Sequence, residues 1–317
     1  MCIRDRNNFC YFSGGKNGQW HGAAAGVPQL PAARVYHGAA AFSLYGNHNI
    51  LVVGGNVGGD DWSNSTVIWN YNNHRWDQGQ DLLVARKFPA VASIAVNSTG
   101  AGGSIISNSF VYVVGGVNEQ GVLASMEVYS ALSGNWTMGA PLSSPLAATA
   151  IGVLPQPARC HPTDGGGGCN VCDTCCNTFV PDGPNCELCV AKQCSRHPAL
   201  LVTAGGIETG ASGEGPPVTA VFAFDGTAWI SNTRAKLPPL ATARAYHGVA
   251  AAQYGSGDGT WELFAIGGAN QSDPTASVGV LGVKEVSVLD PMLLRITVPQ
   301  MAAYDILFAE EIGLRLP

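Results

Sequence analysis

Two seven-residue stretches of this chain are near copies, Ala33-Arg34-Val35-Tyr36-His37-Gly38-Ala39 and Ala243-Arg244-Ala245-Tyr246-His247-Gly248-Val249. Each sets an Arg, a Tyr and a His within four positions, and Arg86 opens a third segment of similar character. A guanidinium presents a planar donor fork that pairs two-pronged with a carboxylate. An imidazole can exchange a proton or bind a metal near neutral pH. Arg34, Arg86, Arg244, Tyr36, Tyr246, His37 and His247 are therefore the candidate ligand contacts. The competing role is structural, with each Arg paired to neighbouring carbonyls or carboxylates and each His packed at the top of a strand. Beyond these the chain has no nucleophile elbow, phosphate loop or zincin motif. The glycine run 165–168 lacks a following strand–helix context and reads as a linker. No catalytic residue, metal or cofactor is assigned.

A second concentration of chemistry lies at 160–194, where Cys160, Cys169, Cys172, Cys175, Cys176, Cys186, Cys189 and Cys194 sit among Gly and Pro. So small a segment cannot bury a core, so covalent or metal staples must hold it. Four disulfides are one solution. Zinc is the other, because Cys172-x2-Cys175 and Cys186-x2-Cys189 have tetrahedral ligand spacing. Sequons at Asn64, Asn97, Asn135 and Asn270 favour disulfides, since glycosylation and disulfides belong to the same oxidising compartment.

The elements that carry these residues recur. Four apolar runs end in a glycine pair: Gly54-Gly55, Gly115-Gly116, Gly205-Gly206 and Gly267-Gly268. After three of them an aromatic precedes a Trp with six residues between, as Trp69 with Trp76, Tyr129 with Trp136, and Phe222 with Trp229. Such a period means stacked copies of one supersecondary unit. Each copy reads as four short strands, with the aromatic and the Trp paired across the third and fourth. The first glycines lie 61, 90 and 62 residues apart. Segments 155–198 and 96–108 account for the excess as insertions between first and second strands.

This pattern resembles the Kelch repeat over residues 10–296. The shared elements are the Arg-x-x-His-Gly opening, the diglycine ending a hydrophobic strand, and the aromatic-x6-Trp pair. The second repeat has Pro89 where His would stand, the third has Leu146 for Arg, and the fourth reads Leu289 and Ile296 for the aromatic and Trp. The resemblance implies an all-β Kelch-type β-propeller of about five blades, incomplete, with repeats near 31–80, 81–140, 141–235 and 236–296 and a disulfide-rich loop inserted in the third. It also implies an Arg at the mouth of the central channel in several blades, gripping acidic peptide motifs. Galactose oxidase is a Kelch-type catalyst, but its copper site needs a Tyr joined to a Cys. Only Cys2 and Cys10 lie outside the cluster here.

The expected function is a non-enzymatic, secreted or cell-surface module that binds a protein or glycan at the channel mouth. The alternatives are an intracellular Kelch substrate adaptor of a ubiquitin ligase and, more remotely, a copper oxidase. Net charge is −6 with no Lys/Arg cluster, which excludes a nucleic-acid or lipid surface. No run is long enough to span a membrane. Residues 1–6, Met-Cys-Ile-Arg-Asp-Arg, resemble the translated mosaic end of a sequencing adapter and are expected not to belong to the fold. Residues 301–317 leave the repeat pattern and are unassigned.

Overall fold

The computed structural model describes residues 11–13, 19–21, 28–58, 62–99, 105–155, 199–210, 215–224, 226, 228–231, 238–253, 261–270, 273–274, 278–283 and 296–297. The cysteine cluster, residues 1–6 and residues 301–317 lie outside them, so the disulfide assignment does too.

Four antiparallel sheets of four strands follow one another along the chain, each strand paired with the next in sequence. Blade A is Gly38–Leu44, Asn47–Val53, Thr66–Asn70 and Arg75–Gln78; blade B is Ala90–Thr99, Ile105–Val114, Met126–Ser130 and Asn135–Met138. Blade C is Ala150–Pro155, Ala199–Ala204, Val221–Phe224 and Trp229–Ser231; blade D is Gly248–Gln253, Trp261–Ile266, Val278–Val283 and Ile296–Thr297. Among the described residues there is no helix. A further hairpin pairs Tyr11–Ser13 with Gln19–His21 and sets Phe12 opposite Trp20.

The second strands of blades B and C are apolar without alternation because both of their faces are covered, one by each neighbouring blade. Val111, Val113 and Val114 are fully buried, as are Leu51, Val53 and Leu201. Three cores fill the gaps between blades. Leu51 and Val53 of A meet Val111, Val113, Tyr129 and Trp136 of B. Tyr112 and Met126 of B meet Leu201, Phe222 and Phe224 of C, and Val202 and Ala223 of C meet Leu263 and Ala265 of D.

A repeated leucine, absent from the sequence reading, tethers each blade to the one before. Leu30, Leu82, Leu142 and Leu240 stand four residues before the Arg position and are all buried. The amide of Leu82 donates to Asn64 O, that of Leu142 to Ala124 O, and that of Leu240 to Thr219 O. Two residues further upstream a carbonyl receives an indole N–H. Trp76 donates to Pro28 O, Trp136 to Gln80 O and Trp229 to Ala140 O.

Three expectations need correction. The partner of Trp229 is Phe224, directly opposite with ring centroids 5.3 Å apart; Phe222 pairs with Ser231. Trp69 and Trp76 stand opposite at a separation of seven, as do Tyr129 and Trp136, whereas blade C closes the same hairpin at a separation of five. Phe222 instead packs in the core between B and C. In blade D, Ile296 pairs with Val283, and Leu289 lies outside the described residues. Within segment 96–108, Val96 to Thr99 pair with Asn108 to Ile105 and extend the ladder. β-branched residues on both sides, Val96 and Thr99 with Ile105 and Ile106, favour these added strand pairs.

Candidate functional site

Where each first strand begins, four residues repeat one conformation. Tyr36, Phe88, Ala148 and Tyr246 all have left-handed backbones, with φ of 59°, 56°, 50° and 57°. For bulky side chains that region costs about 1–3 kcal/mol, so something must hold it. What holds it is a main-chain ladder running from blade to blade. Phe88 N donates to Tyr36 O at 2.8 Å, Ala148 N to Phe88 O at 3.0 Å and Tyr246 N to Ala148 O at 3.0 Å. The ladder draws the side chains of four blades to one place. Tyr36 lies 4.3 Å from Phe88, and Phe88 lies 5.3 Å from Tyr246, centroid to centroid. Tyr36 is 54% and Tyr246 51% exposed, so the cluster presents aromatic surface to solvent. Beneath it, Ala148, Ile207 and Ala245 pack against Phe88 as a small floor. Lys87 adds a cation, its Nζ 5.4 Å from the Trp62 ring and 5.8 Å from Phe88.

The glycine pairs sit just outside this ring. In the first three pairs the second amide reaches the next blade, Gly55 to Arg86 O, Gly116 to Leu146 O and Gly206 to Arg244 O. A Cβ on Gly54 would strike Arg86 O, and one on Gly55 would strike Val35 O, while both residues hold positive φ. Only glycine lets the backbones come this close.

The arginines point inward, not to the mouth. Arg34, Arg86 and Arg244 are 4%, 0% and 3% exposed. Arg34 donates to Gly54 O and Ser65 O. Arg86 donates to Gly115 O and Ser125 O, and pairs with buried Glu127 at 2.6 Å. Arg244 donates to Gly267 O and Ala265 O. Each guanidinium thus holds the first-glycine carbonyl of its own blade, and a donor fork buried in this way is directed at the scaffold. This geometry supports the structural alternative for Arg34, Arg86 and Arg244. Glu127, which also accepts the amides of Leu83 and Val84, carried no sequence signal because an acid within a strand normally faces water.

The histidines are not brought together by a shared contact. His247 packs against the glycine pairs of blades C and D, where a Cβ on Gly205 or Gly268 would meet it. Both its ring nitrogens are buried without a well-placed partner. Burial, then the neighbouring Arg244 charge, depress its pKa to about 4, against a weaker pull from the Ala204 carbonyl. His37 is more exposed, and its pKa is lowered by burial first and by Arg34 second. Among the described residues no group of three or more His, Cys, Asp or Glu could hold a metal ion. No helix among them is long and apolar enough to cross a membrane. Of the sequons, Asn64 and Asn135 are exposed and Asn270 is half-buried, while Asn97 lies in the first strand of blade B.

Of the candidate contacts, then, Tyr36 and Tyr246 reach the mouth. Phe88, Lys87 and Trp62 join them unforeseen. Phe88 was findable, because it occupies the Tyr position of its repeat.

Meandering four-stranded sheets, joined by interlocked glycine pairs, define a β-propeller. The family model for the Kelch motif matches residues 104–143, from the second strand of blade B through its fourth. The chain carries that motif within repeated sheets of the same build, the architecture of a Kelch-type β-propeller, and the motif implies a protein-interaction module. No curated protein matches it.

Proposed function

We propose that this chain is a non-enzymatic binding module that receives a protein ligand on the axial mouth formed by Tyr36, Phe88 and Tyr246. The observation that carries the reading is the ring of left-handed residues. Four blades each accept backbone strain at the same position, and three of them spend it on an aromatic side chain, two of these half exposed. Strain held at one place by the whole scaffold marks a working surface. Aromatic anchors of this kind dominate protein interfaces.

The ligand is met outside the cytosol. Four sequons, with Asn64 and Asn135 on the surface, and a dense even cysteine cluster support a secreted or cell-surface setting. Expression through a secretory pathway should give a product whose mass falls on N-glycosidase treatment. An unmodified, fully reduced product would point to the intracellular adaptor instead.

The mouth is tested by Tyr36→Ala combined with Tyr246→Ala. Affinity for a partner recovered with the native chain should drop at least tenfold with the melting temperature nearly unchanged. Undiminished affinity would refute the site.

A further inference from the structure

The connections that follow the glycine pairs are acidic in sequence. The four segments joining second to third strands, 54–65, 115–125, 205–220 and 267–277, contain Asp60, Asp61, Glu119, Glu208, Glu214 and Asp273. They contain no Lys or Arg. The arginines that could have offset this are withdrawn into their blades. Glu119 and Glu208, with Gln120 and Thr209, line an open cleft of about 390 Å³ between the connections of blades B and C. Main-chain bonds tie the segments that line this cleft to those that carry the aromatic ring. Val117 is bonded to Lys87 and Ile207 to Ala147, each one residue from the ring members Phe88 and Ala148. The aromatic faces already accept a positive charge within the molecule, since the Lys87 ammonium lies over Trp62 and Phe88.

We propose that the mouth recognises a basic protein segment. A Lys or Arg side chain lies across Tyr36, Phe88 and Tyr246, with its charged head directed toward Glu119 and Glu208. Ring faces attract cations, and carboxylates at the edge of an open cleft add direction and speed encounter. The inference rests on the mouth reading above and reverses the acidic ligand implied by the family resemblance. The reversal follows from the buried arginines, because Glu119 and Glu208 then outnumber Lys87 among the described residues beside the mouth.

Labelled decapeptide pools distinguish the possibilities, one series fixed as Arg or Lys at successive positions and one fixed as Asp or Glu. Binding is read by fluorescence anisotropy on the whole chain. The account expects binding in the Arg/Lys pools only, weakening with added salt. Glu119→Gln with Glu208→Gln should lower it at least tenfold. Asp77→Asn, a charge removed on an outer strand, should leave it within twofold, and Lys87→Ala should leave it equal or tighter. Binding confined to the Asp/Glu pools and lost with Tyr36→Ala/Tyr246→Ala would overturn the basic ligand while keeping the mouth. Arg/Lys binding that survives the double Glu change, or no binding by any pool, would also overturn the proposal. Binding indifferent to Tyr36 and Tyr246 would overturn the mouth itself.

Discussion

The amide of Gly55 donates to the carbonyl of Arg86 at 2.8 Å, and this bond fastens the end of one blade's second strand to the start of the next blade's first. Gly116 does the same to Leu146 at 2.7 Å, and Gly206 to Arg244 at 2.8 Å. The acceptor is main chain, so the link survives where the side chain changes from Arg to Leu. In blades A, B and D the guanidinium adds a second hold, on the first-glycine carbonyl of its own blade. Glycine pair, Arg position and left-handed residue are therefore one device. It locks neighbouring blades and fixes the mouth.

Alanine at Gly115 should be severely destabilising. Its φ is +63°, and a Cβ there would run into the carbonyl of Leu146 in the next blade. Left-handed strain costs about 1–3 kcal/mol, and the collision adds to it. Gly46 has a similar φ of +77° but open space around it, so Gly46→Ala should cost only about 1 kcal/mol. Urea unfolding of the two variants checks the contrast. Equal losses would mean that the close approach between blades is not what requires the glycine.

Breaking the Arg86–Glu127 pair should also be costly. Both side chains are fully buried, and Glu127 serves two further amides. Removing one member of such a pair typically costs about 3–5 kcal/mol, because its partner stays buried and uncompensated. Glu127→Ala is expected in that range by equilibrium unfolding. A loss below about 1 kcal/mol would show that the pair is hydrated or loosely held.

The repeats made the blades legible before the structure, because diglycine and hydrophobic-strand signals depend only on local sequence. What the sequence hid was direction. An Arg at the start of an inner strand looks the same whether it turns to the channel or to its own blade. The choice is made by Gly54 O, Gly115 O and Gly267 O, acceptors 20 or more residues away. Spacing misled in blade C for a related reason. Phe222 and Trp229 fit the pattern by count, but the shorter hairpin sets Phe224 opposite the Trp. Tyr36 and Tyr246 carry a sequence signal as members of the repeated opening. The ring they form with Phe88 was not visible, because it exists only when blades A, B and D converge.

Acid should weaken the fold through His247. Its pKa is depressed from 6.5 in the unfolded chain to about 4 in the fold, so below pH 6.5 the unfolded state binds more protons. Stability is therefore full above pH 6.5 and is lost as pH falls toward 4, by about 2 kcal/mol at pH 5. His37 shifts the same way. Thermal unfolding of His247→Asn against the native chain, from pH 7.5 to pH 4.5, should show a flatter profile in the variant. Parallel profiles would place the acid sensitivity elsewhere.

The central claim is that ligands dock at the axial mouth, and photo-crosslinking compares the two ends of the blades directly. Tyr246 stands at the mouth and is 51% exposed, while Tyr45, 66% exposed, stands in the turn between first and second strands of blade A. Those turns emerge at the opposite ends of the strands from the mouth. Each tyrosine is replaced singly by p-benzoylphenylalanine, and the chain is irradiated in the medium or extract of its native source. The account predicts a ligand adduct at position 246 and none at 45. An adduct at 45 without one at 246 would contradict it.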